Sequence, residues 1–83
     1  MPVSSEELRA ELRRGVDTIR MLRDEIRVHL HLASMDARKK WNELEPRILD
    51  VEMLAHKSGE EARDAIQDAV RSLRELRDSI ARH

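Results

Sequence analysis

Histidines and carboxylates four residues apart are the arrangement in this chain with conventional ligand chemistry. Glu25 with His29, and Glu52 with His56, have the spacing by which one helix face presents two metal ligands. His29 and His31 are two apart, so on a helix they point about 160° from each other and cannot share a metal. If the segments that carry them pack antiparallel, His29 and His56 approach each other, and a metal-binding helical bundle is one reading. The stronger reading is structural. A histidine beside an apolar stripe packs its ring and bonds a neighbouring carboxylate, and these residues match no established metal motif. We therefore assign no metal and no other cofactor.

Nucleophilic chemistry has less support still. The chain contains no cysteine, no Tyr or Phe, one Trp and two glycines, so it lacks the glycine-rich loop that holds an oxyanion or phosphate. It also lacks the aromatic material of an enclosed pocket. We read it as not an enzyme. Arg9, Arg13, Arg20 and Arg27 form a basic helical flank that can meet phosphates, but an acidic flank matches it. Sixteen Lys+Arg stand against seventeen Asp+Glu, a net charge of −1 without the basic excess of a nucleic-acid binder. No apolar run approaches the ~20 residues that cross a bilayer, and no signal-peptide core is present. A cytoplasmic protein is the expectation.

The elements that position these residues are all helical. Apolar residues recur at spacings of three and four from Leu8 and Leu12 through Ile19, Leu22, Ile26, Leu30, Ala33, Ala37, Leu44, Ile48 and Val51 to Ile66, Leu73 and Ile80. At ~100° per residue they share an arc of about 120°, and nothing alternates with a period of two. The chain of 83 residues is expected to be a single all-α domain, 1–83, an antiparallel helical bundle or coiled coil. Its helical segments are expected at about 5–33, 35–57 and 59–82. Ser4 with Glu7, and Ser58 with Glu61, read as capping boxes that start helices. Pro46 either starts a helix or kinks one.

Charge patterning sets topology. Beside the stripe of residues 5–33 one flank is basic and the other, with Glu7, Glu11 and Glu25, is acidic. Lys40 and Arg47 then take the acidic side while Glu45 and Glu52 take the basic one, and after residue 59 the first order returns with Arg63 and Arg74 opposite Glu61 and Asp68. Antiparallel neighbours face like flanks to each other and parallel neighbours unlike ones, so an up-down-up arrangement satisfies every pairing.

The turn between the first two segments is weakly marked. Residues 33–37 contain no Gly, Pro or Asn, the stripe passes through in phase, and Ser34 is a passable N-cap. The expectation is one continuous helix over about 5–57, paired antiparallel with a second copy in a swapped dimer. The alternative is a monomeric three-helix bundle.

A second stripe lies opposite the first. Met21, Val28, Leu32 and Met35 fall within about 60° of one another, with Met53 and Leu49 near the same angle. A helix apolar on two faces is covered on two faces. Met21, Val28, Leu32, Met35 and Met53 are accordingly the candidate interface residues. Residues 22–46, LRDEIRVHLHLASMDARKKWNELEP, resemble a stretch of small bacterial coiled-coil proteins with no known activity. The resemblance implies a helical, bacterial, cytoplasmic protein and no site residues. The function expected is a non-enzymatic module for self-association, as a homodimer, or for binding another protein. An amphipathic lipid-surface binder is the alternative.

Overall fold

The computed structural model describes residues 5–56 and 59–81. They form α1 (Ser5–His29), α2 (Met35–Ala55) and α3 (Glu60–Ala81), with a 3-10 turn at Leu30–Leu32 between the first two. No strand occurs among the described residues, as the single apolar period requires. The serines of the expected capping boxes, Ser4 and Ser58, lie outside the described residues. Helices α1 and α3 still open on glutamates, Glu6 with Glu7 and Glu60 with Glu61, the charge that a helix N-terminus favours. Pro46 neither starts nor ends a helix: α2 runs through it. Its missing N–H costs α2 a backbone bond, and the packing of Trp41 and Ile48 on either side offsets that loss.

Ion pairs read out the topology. Arg23 pairs with Glu52 at 2.8 Å and Arg27 with Glu45 at 2.9 Å, so rising numbers on α1 meet falling numbers on α2. Glu11 pairs with Arg63 at 3.0 Å and Glu25 with Arg77 at 3.4 Å, so α1 and α3 rise together, 52 residues apart. The basic flank of α1 thus meets the acidic flank of α2, and its acidic flank meets the basic flank of α3. The sign reversal in the sequence encodes this arrangement.

The apolar stripes of the three helices close one core. Ile19, Leu22 and Ile26 from α1, Trp41 and Ile48 from α2, and Ile66, Leu73 and Leu76 from α3 are all buried. Helix α3 packs chiefly on α1 and then on α2, whereas α1 and α2 meet least. Gly15 explains the α1–α3 intimacy: a Cβ there would overlap Ile66 Cγ2. The bundle measures 43 × 19 × 18 Å, so each helix shows one long side to solvent.

The connection between α1 and α2 corrects the continuous helix expected over 5–57. Within one chain the helix breaks, and the three-helix bundle closes on itself. Only Ala33 (φ −78°, ψ 153°) and Ser34 (φ −65°, ψ 164°) take extended geometry at the break. The Ser34 hydroxyl accepts from Ala37 N at 3.2 Å, capping α2. Arg38 reaches back and donates to the carbonyls of Leu30 and His31 at 3.2 and 2.9 Å. The Leu30 carbonyl also accepts from Ala33 N at 3.0 Å, closing the 3-10 turn, and the guanidinium supplies a further donor to the carbonyls at the end of the helix.

Candidate functional site: an uncovered apolar face

The residues with ligand chemistry are dispersed by the fold. His29 lines a groove between α1 and α3 with Glu25, Leu32 and Arg77. His56 lies along the other groove of α1, beside Arg9, Arg13 and Arg20. The antiparallel register therefore does not bring His29 and His56 together. Their helical carboxylate neighbours are engaged elsewhere, Glu25 by Arg77 and Glu52 by Arg23. Among the described residues no three His, Cys, Asp or Glu side chains are grouped to hold a metal ion. The groove between α2 and α3, about 320 Å³, brings Lys40, Arg47, Ser72, Glu75 and Ser79 together without a histidine to activate either hydroxyl.

The second stripe is where the molecule is unfinished. Met21 is 52% exposed, Val28 63%, Leu32 70%, Met35 80% and Met53 69%; Leu49, at 51%, joins them. These are the large apolar side chains left in solvent among the described residues, where thirteen other apolar residues form the buried core. The register of the ion pairs places Met21 of α1 level with Met53 of α2, and Leu49 level with Glu25. Leu49 lies on the flank of α2 that carries Glu45 and Glu52, the side turned toward α1. Met21 and Val28 lie on the outward side of α1, opposite Ile19 and Ile26. Leu32 and Met35 flank the α1–α2 connection. Five of these six are the candidate interface residues, and the fold divides them: Leu32 lines the α1–α3 groove, Met21 and Val28 lie on the outer side of α1 nearer its α3-facing glutamates, and Met35, Leu49 and Met53 lie on the outer side of α2.

Three features were not foreseen. Arg23, with only 18% of its side chain exposed, makes a half-buried pair with Glu52, although its Nε finds no hydrogen-bond partner. Its position 40° from the stripe centre, rather than on the flank, was the available signal. Arg38 as a cap for the preceding helix left no periodic trace. Gly15 within a run of good helix formers did carry a signal, since a mid-helix glycine often marks a close approach.

The described helices include none long and apolar enough to cross a membrane. Comparison with known proteins returns no matching family model, no matching curated protein and no matching solved structure.

Proposed function

We propose that the chain is a non-enzymatic helical module that acts through protein contact, with Met21, Val28, Leu32, Met35 and Met53 as the contact face. The observation that carries this reading is the uncovered stripe beside a core that is already complete. Leaving such side chains in water forgoes the burial energy available to each, ~1.5–3 kcal/mol. Large exposed apolar side chains gathered on a surface mark interaction sites. Methionine, flexible and polarizable, suits a face that must fit another protein. A cytoplasmic setting, with no disulfide required, goes with this reading.

A lipid surface is the weaker alternative. The main stripe of each helix is consumed inside the bundle, so little apolar surface remains to enter a membrane. The test compares native chain with Leu32→Glu and Arg20→Glu. Leu32→Glu sets a charge in the contact face and is expected to abolish assembly, whether of the chain with itself or with proteins captured from its source cells. Arg20→Glu, on a flank, is expected to leave assembly in place. Equal behaviour of both variants in light scattering and in capture would end the reading. Co-sedimentation with anionic vesicles, lost in Leu32→Glu, would replace it with the lipid one.

A further inference from the structure

We propose that the α1–α2 connection is a hinge through which two copies of the chain exchange α1, each α1 docking on the α2 and α3 of the other chain. The closed bundle is then one of two forms built from the same contacts, and the inference does not depend on the contact face above. Phase is the first argument. The buried stripe of α1, through Ile19 and Ile26, and that of α2, through Ala37, Trp41 and Ile48, are centred within about 20° of each other when one helix is continued into the next. A closed bundle has no use for that agreement, because a turn frees the second helix from the phase of the first. A straight helix needs it. Only in-phase stripes put both cores of an exchanged pair on one face of a helix running from Ser5 to Ala55.

The hinge itself is the second argument. Extended geometry is confined to Ala33 and Ser34, and residues 30–38 around them hold good helix formers without Gly or Pro. Straightening gives up the Ser34 cap and the Arg38 bonds to the Leu30 and His31 carbonyls. In return the amides of Ser34, Met35, Asp36 and Ala37 take the carbonyls of Leu30, His31, Leu32 and Ala33, helical bonds that the break leaves unmade. Packing survives the change. Helix α2 packs more on α3 than on α1, so α2 and α3 stay together when α1 leaves. Arg23 with Glu52 and Arg27 with Glu45 are remade between chains, as are Glu11 with Arg63 and Glu25 with Arg77. The first two pairs set the crossing of the long helices near Ala37, a side chain small enough for close approach. A short connection between elements that repack unchanged is the usual route to exchange.

Chain refolded from denaturant at high concentration is expected to contain a dimer about 75 Å long, against 43 Å for the closed bundle, by small-angle scattering behind a sizing column. Chain refolded at high dilution is expected as the closed form, and the two interconvert slowly because α1 must leave the core before it redocks. Met35→Pro separates the forms. Position 35 opens α2, where proline is favoured, its own side chain is exposed, and Ser34 before it is already extended at ψ 164°. The closed bundle therefore accepts the change, whereas inside a straight helix it is disfavoured roughly a hundredfold per chain. Met35→Pro is expected to keep its helical circular dichroism and to stay monomeric after concentrated refolding. Should it fail to fold, cross-linking decides. The chain has no cysteine, so Arg27→Cys and Glu45→Cys chains each carry one thiol. Refolded together and treated with a short bis-maleimide, they are expected to join unlike chains in excess over like ones. Native chain that stays monomeric after concentrated refolding overturns the inference, as does a dimer that Met35→Pro leaves intact. A dimer of two closed bundles side by side, without preferential joining of unlike chains, overturns it too and leaves association to the contact face. The contact-face test is made on chain refolded at high dilution, so the two readings fail separately.

Discussion

Helix α3 buries Ala62, Ile66, Ala69, Leu73, Leu76 and Ile80 along one stripe and turns Asp64, Gln67, Asp68, Arg71 and Asp78 outward. Helix α2 buries only Ala37, Trp41 and Ile48, and leaves Met35, Leu49 and Met53 in solvent. The two helices are of nearly equal length, 22 and 21 residues. Their difference is one of commitment. Helix α3 spends its apolar residues on the fold, whereas α2 divides its own between the fold and a face that the fold does not use. Stability and association are therefore encoded on different residues, and mutations should separate them.

The largest effect belongs to the committed side. Leu73, fully buried at the centre of α3, should cost about 3 kcal/mol on truncation to Ala through lost burial and a cavity, read as a lower denaturant midpoint. A loss below 1 kcal/mol would mean that α3 is less central than its packing indicates. Next comes the α1–α3 approach. Gly15→Ala forces its methyl against Ile66, an overpacking cost of ~1–3 kcal/mol that outweighs the ~1 kcal/mol gained in helix propensity. Repeating it in an Ile66→Ala background should turn the change stabilising. The same sign in both backgrounds would remove Ile66 as the cause.

The α1–α2 connection should respond less. Ser34→Ala removes the cap on α2 and is expected to lower stability by ~1 kcal/mol, measured in chains diluted below any association. The smallest effect is on the uncommitted side. Met53→Gln should change the stability of the isolated bundle by no more than ~0.5 kcal/mol while weakening its assembly. A large loss in the dilute chain would show Met53 to be a core residue after all, and the contrast between the helices would fall.

These contrasts were partly legible in the sequence. The stripe from Leu12 to Ile80 predicted the buried residues because a three-helix core sees only one period, and Trp41 at its edge is buried as a packing anchor. The flank reversal predicted which helices run parallel because charge pairs are read by sign alone. The position of the break, between segments expected at about 5–33 and 35–57 with Ser34 as a cap, was legible, but whether the helix breaks there was not. In-phase apolar residues on both sides are compatible with a turn and with a helix, and the deciding contacts come from Arg38, which acts on carbonyls seven and eight residues earlier. Periodicity reports side chains that share a face, and a guanidinium reaching backward shares none. The second stripe was visible as a pattern, but only the fold shows that a complete core leaves it in solvent.

The parallel pairing of α1 with α3 governs how this chain can come to be folded. Its cross-helix contacts join residues about 50 positions apart, Glu11 to Arg63 and Glu25 to Arg77, while the sequence-adjacent pair α1 and α2 shares the least surface. A hairpin of the first two helices has little to hold it, so the early local contact open to this chain is that of α2 with α3, and α1 must then dock by its long-range pairing with α3. During synthesis the first 56 residues should stay unstructured until α3 emerges, and the uncovered methionines are then accompanied by an open core. A fragment of residues 5–56 should accordingly lack cooperative melting, and mixing it with a peptide of residues 59–81 should restore it.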